Sequence, residues 1–238
     1  RAHPCHGCEH REDHARWAER HHRLAAENDQ LKQRMAATTH SLARSFDRIR
    51  ALLGERGYLT RGADQDVTEH GRRLARLYSE SDLLAAECLR DGVWRGLAPA
   101  ELAAVVSALV YEARRDGPAE TRVPAGPIGD ALAATARLWA AIEEDERRHR
   151  LETTREPDAG FAWPVYRWAR GEPLERVLTA AEANGQELLA GDFVRWCRQV
   201  IDLLEQIRDV MRGDDPVGAV AGRAAAAIRR GVVAMGTV

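Results

Sequence analysis

The sequence predicts a mainly α fold: a long stalk helix, a winged-helix remnant with a small β-hairpin, then a C-terminal helical bundle. Three observations predict it. The stretch between Gly7 and Gly54 holds neither Gly nor Pro, so nothing in it forces a helix to stop. Next, a GYL segment, a Gly/Asp turn (GADQD) and a Val-Thr pair lie between two amphipathic segments, which is a hairpin pattern. Beyond it, apolar residues recur at helical spacing between caps and helix-stopping Gly and Pro. The expected divisions are 1–40 for the stalk, 41–78 for the winged-helix-like segment and 79–238 for the bundle.

The stalk could reach roughly 65–70 Å at about 1.5 Å per residue. Trp17, Leu24 and Leu31 recur every seven residues, and Met35, Leu42 and Ile49 repeat the spacing four residues on. The complementary positions His14, His21 and Asn28 are polar, leaving one thin apolar seam suited to a single antiparallel partner helix. The Thr and Ser cluster at 38–41 is a candidate break. Further on, Ser81 and Asp82 cap a helix through Arg90, closed by Gly92. Pro99 opens the next, with Leu102, Val105, Val106, Leu109 and Val110 on one stripe. A Pro/Gly-rich loop covers 117–129, and a helix that is apolar early and charged late is expected from about 130 to 155. Helices follow over 161–169 and 173–184. Asp192 is expected to cap a strong helix ended by Gly213, and a last helix covers 216–234.

The 238 residues are enough for one large or two small cores. With a formal net charge of −2, no bulk field announces a nucleic-acid or membrane partner, and any such binding rests on local arginine patches. Lys32 is the only lysine, and arginine is the better phosphate clamp. Cys88 and Cys197 sit singly in apolar patterns as buried thiols, so this is no secreted disulfide framework. No segment has the roughly 20 apolar residues of a membrane span, and a cytoplasmic location is the default. The chain opens at Arg1 without an initiator Met, and a C-terminal part of a larger protein is expected.

The stretch YSESDLLAAECLRDGVWRGLAPAELAAVVSALVYEARRD resembles the C-terminal (DSHCT) domain of Ski-like, exosome-cofactor DExH-box RNA helicases. The matching residues are Gly71 and Ala75, Ser81, Leu84, Glu87, Gly92, Val93, Trp94, Leu97, Pro99, Glu101, Ser107, Tyr111 and Glu112. Later, AWPVYRWARGEPLERVL, GDFVRWCRQVIDLLEQI and IRRGVVAMG resemble three further family motifs. AHPCHGC followed by a long helix is similar to the return strand of the family's arch stalk, most like its actinobacterial branch. Gly231 stands where the family usually has Asp, and Ala113-Arg114 follow Glu112 where a second acidic residue is common.

The resemblance implies the RNA-guiding C-terminal region of an ATP-dependent 3′-to-5′ RNA helicase in RNA processing or decay. Single-stranded RNA, the upstream helicase domains and an exoribonuclease are the implied partners, with no membrane. No phosphate loop (GxxxxGK[ST]) or DExH segment occurs here. No cofactor is therefore expected in this stretch, and ATP and Mg belong to the upstream domains. Whether the chain is itself an enzyme stays open. Other classes are a winged-helix regulator with a coiled-coil arm, which needs a dimer and a basic recognition helix, and a non-catalytic scaffold docking an RNase.

Arg195 matches the arginine of the family's strand-guiding helix and shares a face with Asp192 and Gln199; Arg198 lies on the neighbouring row. An arginine there can fork onto phosphate or stack on a base, or simply pair with Asp192. Glu112 matches a family glutamate near the strand path, beside Arg114 and Arg115; its other account is a helix-end glutamate paired with a neighbouring arginine. Arg72 and Arg73 touch nucleic acid or form a solvated face. Cys5 and Cys8, with His3, His6, His10 and His14 nearby, form a CxxC that either binds zinc or makes a turn at the start of the stalk. Trp163, Trp168 and Trp196 have the flanks of core residues.

Overall fold

The computed structural model describes residues 4–62, 65–113, 125–183, 187–211, 213 and 215–235, without the side chains of 4 and 33–41. The fold is mainly α. Two compact units form, residues 1–50 and 51–238.

The first unit opens on a 3-10 turn, Pro4–Gly7, and continues as helix α1, Arg11–Glu55, whose last turn belongs to the second unit. Asp13 and Glu12 in the first turn suit the positive end of the helix dipole. The helix runs unbroken through 38–41, because Thr and Ser in a helix interior cost only tenths of a kcal/mol, up to about 0.7, each. Trp17, Leu24, Leu31, Leu42 and Ile49 are all exposed, as the thin seam requires; the Met35 side chain lies outside the described residues.

In the second unit the chain leaves α1 through Gly57, at φ 76°, and reaches α2, Glu69–Leu74. The expected hairpin comes down to one antiparallel bridge, Leu59–Val67, and no longer strand forms among the described residues. Thr60 N–H on Asp66 O at 2.8 Å and Thr68 N–H on Tyr58 O at 3.0 Å flank the bridge, and beyond them helix contacts take over. Leu59 N–H bonds to Leu53 O, and Thr68 turns its hydroxyl to accept from Gly71 N–H at 3.1 Å, capping α2. A winged-helix hairpin is therefore not established, while the mainly α class stands. Gly71 is where α2 crosses the bridge: a Cβ there would lie 2.2 Å from Tyr58 O and 2.8 Å from Val67 Cγ1.

Helix α3, Asp82–Asp91, ends at Gly92 in the left-handed conformation, with Val93 N–H on Cys88 O in the Schellman pattern. Helix α4, Pro99–Val110, has residues 102–109 all buried and packs against α5, α6, α8 and α9. A helix apolar all round belongs at the centre. Helix α5, Pro127–Arg148, stops well short of the expected 155. Leu151 N–H bonds to Glu146 O and Arg150 takes φ 55°, a Schellman close with arginine where glycine is usual. The buried Glu146 carboxylate then accepts from Thr154 N–H and Oγ1–H, both at 2.6 Å, drawing the chain back.

A 3-10 turn, Ala159–Phe161, leads into α6, Ala162–Ala169, and α7, Leu174–Ala183. Helix α8, Ala190–Val210, begins two residues before Asp192; Leu189 is the cap and Asp192 lies in the first turn. The expected last helix is two: α9, Pro216–Ile228, and α10, Gly231–Ala234, broken where Gly231 takes φ 49°.

Candidate nucleic-acid interface

Phe193, Trp196, Cys197 and Val200 turn one face of α8 into the core, while Arg195, Arg198 and Gln199 are exposed. The Arg195 guanidinium stands 4.2 Å from the Trp196 ring centroid and 3.4 Å from Asp192 Oδ1. Its side chain keeps 49 % of its surface exposed. The indole and the carboxylate thus hold an arginine that still faces solvent. Arg198 has no side-chain hydrogen bond or ion pair among the described residues.

An aromatic chain fixes this end of α8. Trp196 meets the edge of Tyr111 at 5.1 Å between centroids, and Tyr111 stacks on Phe161 at 5.5 Å. Phe161 touches Phe193, which touches Trp168. Trp168 and Trp196 are core residues and Trp163 is partly buried against Tyr166. Since Tyr111 is bound to Trp196, Glu112 is carried to the Arg195 end of α8. Glu112 is not a helix residue as expected: α4 ends at Val110 and the chain is extended at Tyr111. It is exposed and has no ion pair among the described residues. Arg114 lies outside the described residues.

The exit from α4 is built by a distant segment. Arg155 donates to Tyr111 O at 2.7 Å and Leu109 O at 3.2 Å. Asp158 accepts from Ala113 N–H at 3.1 Å. These bonds satisfy helix-end groups that would otherwise stay unpaired. Gly160 leaves room for Tyr111, whose Cε1 would be 2.7 Å from a Cβ there.

The other expected residues lie elsewhere. Arg72 bonds to Glu69 and to Val67 O, and Arg73 lies 3.5 Å from Glu69. In the first unit Cys8 Sγ is 3.5 Å from His14 Nδ1. No three His, Cys, Asp or Glu side chains converge as metal ligands among the described residues.

One cluster has no counterpart in the sequence expectations. Glu87, 2 % exposed, lies 3.3 Å from Arg56 Nη1 and also pairs with Arg90. It accepts from Tyr58 Oη–H at 2.7 Å. Arg56, 11 % exposed, reaches Asp145 Oδ2 at 2.6 Å, and Arg90 donates to Arg56 O at 2.8 Å. Burial, and then the Glu87 charge, push the Tyr58 hydroxyl well above its ordinary value. A charged residue inside the apolar run of α3 was the available signal. A second arginine, Arg230, stands 3.5 Å from the Trp168 centroid and donates to Trp168 O and Glu172 O.

The DSHCT (NUC185) domain model matches residues 64–235, more than half of the chain. The chain belongs to the DSHCT family. It is similar to "Probable helicase HelY" of Mycobacterium leprae (strain TN), 54 % identical over 92 % of this chain and 24 % of the relative. The protein of the same name from Mycobacterium tuberculosis (strain CDC 1551 / Oshkosh) is 51 % identical over 99 % of this chain and 27 % of its own length. The DSHCT chain thus spans about a quarter of the length of the relatives it matches, as a C-terminal helicase region with a helicase-associated role. Among its described residues no helix is long and apolar enough to cross a membrane.

Proposed function

We propose that this DSHCT chain guides single-stranded RNA for an ATP-dependent 3′-to-5′ helicase that acts in RNA processing or decay in the cytoplasm. Upstream domains of the same parent bind ATP and Mg, and an exoribonuclease takes the emerging strand. The observation that carries the proposal is the exposed pair Arg195 and Arg198 at one end of α8, with Glu112 brought to the same end by the Tyr111–Trp196 contact. Arg198, without a side-chain partner among the described residues, supplies a phosphate contact at little cost. Arg195, oriented by Trp196 and Asp192, presents a guanidinium whose direction is set before the strand arrives.

The test is Arg195→Ala and Arg198→Ala in the full-length parent. Each is expected to lower unwinding while shifting stability by less than about 0.5 kcal/mol, as exposed arginines do. Each lost phosphate contact should make the plot of log affinity against log salt shallower by about 0.7. Arg195→Lys restores only part of the activity, because an ammonium cannot fork or stack as a guanidinium does. Unwinding and RNA affinity unchanged in both alanine variants would place the strand elsewhere.

A further inference from the structure

Tyr78 lies between α2 and α3 with 77 % of its surface exposed, while its neighbour Leu77 is buried in the core. The residue is not loosely held. Its N–H donates to Gln206 Oε1 at 2.6 Å, and Gln206 Nε2 donates to Asp202 Oδ2 at 2.8 Å. A buried leucine on one side and a side-chain acceptor from α8 on the other fix where the ring leaves the backbone.

The position of that acceptor is what matters. At about 100° per residue, Arg195, Gln199, Asp202 and Gln206 fall within about 40° of one line along α8. Tyr78 is therefore tied to the same helix face that carries Arg195. The two anchor points, Arg195 and Gln206, are separated along the axis by about 16 Å at ~1.5 Å per residue. That length matches about five stacked nucleotides at ~3.4 Å each. Arg76, two residues before Tyr78, is exposed and has no side-chain partner among the described residues. The strip thus has an arginine at both ends and a free aromatic ring at one.

The geometry points to Tyr78 as a base-stacking platform for single-stranded RNA, at the far end of the α8 face that begins at Arg195. This rests on the strand-guiding role of α8 proposed above. A tyrosine face accepts any base, so the contact holds the strand without reading its sequence. Its oriented backbone means that little freedom is lost when a base docks.

The test uses the 238-residue chain, a ten-nucleotide oligoadenylate, and a ten-unit strand of the same backbone without bases, with affinities measured by anisotropy. Tyr78→Ala is expected to weaken oligoadenylate binding by about five- to tenfold, with an unchanged salt slope because no charge is lost. Binding of the base-free strand should not change. Tyr78→Phe should bind oligoadenylate within about twofold of the parent chain, since the ring is kept. Full oligoadenylate affinity in Tyr78→Ala, alongside weakened Arg198→Ala, overturns the platform and leaves the strand-guiding role intact. Equal losses on both strands in Tyr78→Ala also overturn it, because the ring would then act through the fold. No binding at all, or no effect of Arg195→Ala and Arg198→Ala, removes the strand-guiding role and the platform together.

Discussion

Cys88 packs against Thr135 in the core, and burial pushes its thiol up to about 12; burial raises the Cys197 thiol as well. The folded chain keeps these thiols neutral where an unfolded chain ionises them near pH 8.5. Their contribution is therefore complete below about pH 8.5 and declines as pH rises toward about 12. Thiolates, not thiols, attack electrophiles. A maleimide at pH 7.5 is expected to label Cys5 and Cys8 in the native chain and to reach Cys88 and Cys197 only in denaturant, as read by mass spectrometry. Four labels on the native chain would mean the bundle opens readily. At this scale the sequence was informative about type and poor about partners. The two core thiols and the core positions of Trp168 and Trp196 followed from apolar spacing alone. The ring of Trp196 under Arg195 did not, because adjacent residues on a helix ordinarily point apart.

Gly71 and Arg150 are opposite cases of backbone fit. Gly71 lies so close to Tyr58 O that a methyl group has no space, and the nearest atom is backbone that cannot swing aside. Gly71→Ala should destabilise the bundle by about 2 kcal/mol or more, since α2 must shift as a body. Arg150 carries a side chain at positive φ, which costs about 1 kcal/mol relative to glycine. Arg150→Gly should therefore raise the melting temperature by a few degrees, and a lowered one would show that its side-chain contacts outweigh the strain. Helix starts marked by Pro99 and Pro216, and the stop at Gly92, were legible because those residues act locally. The end of α5 was not. It is set by Glu146 reaching forward to Thr154, and a charged residue late in an amphipathic helix looks the same whether it faces solvent or turns the chain. The same limit hid how short the strand pairing is: Thr68 can extend a strand or cap a helix, and here its N–H pairs with Tyr58 O while its hydroxyl caps α2.

Across the whole molecule the two units differ in how much they bury. The seam of α1 offers no packed apolar face over residues 11–31, and tertiary packing is what usually stabilises a helix. Amide exchange is expected to be fast there and slow in α4 and α8; slow exchange over 11–31 in a monomer would reveal a partner for the seam. In the second unit the Arg56–Glu87–Arg90–Asp145 cluster joins the turn at Arg56 to α3 and α5. Glu87→Ala should cost about 3–5 kcal/mol, because two arginines lose their counter-charge in a buried setting. Tyr58→Phe, which removes one hydrogen bond to the same carboxylate, should cost about 1–2 kcal/mol. Equal losses in the two variants would mean that the Tyr58 hydroxyl, not the ion pairs, organises the cluster. Of the candidate interface, the family resemblance brought Arg195 and Glu112 forward separately. Their placement toward one end of α8 depends on Tyr111, Phe161 and Trp196, contacts that no local pattern encodes.

The aromatic chain that fixes this surface also sets a schedule. Tyr111 finds Trp196, Phe193 finds Trp168, and Trp168 is held by Ile228 O and covered by Arg230. A ribosome adds about 5–20 residues per second, so several seconds pass between the emergence of Tyr111 and that of Arg230. Throughout that interval the surface around Arg195 is not fixed, although most of its residues have been made. In the proposed strand-guiding role, a nascent chain would therefore hold no half-built guide, and capture of a strand would wait for the closing helix.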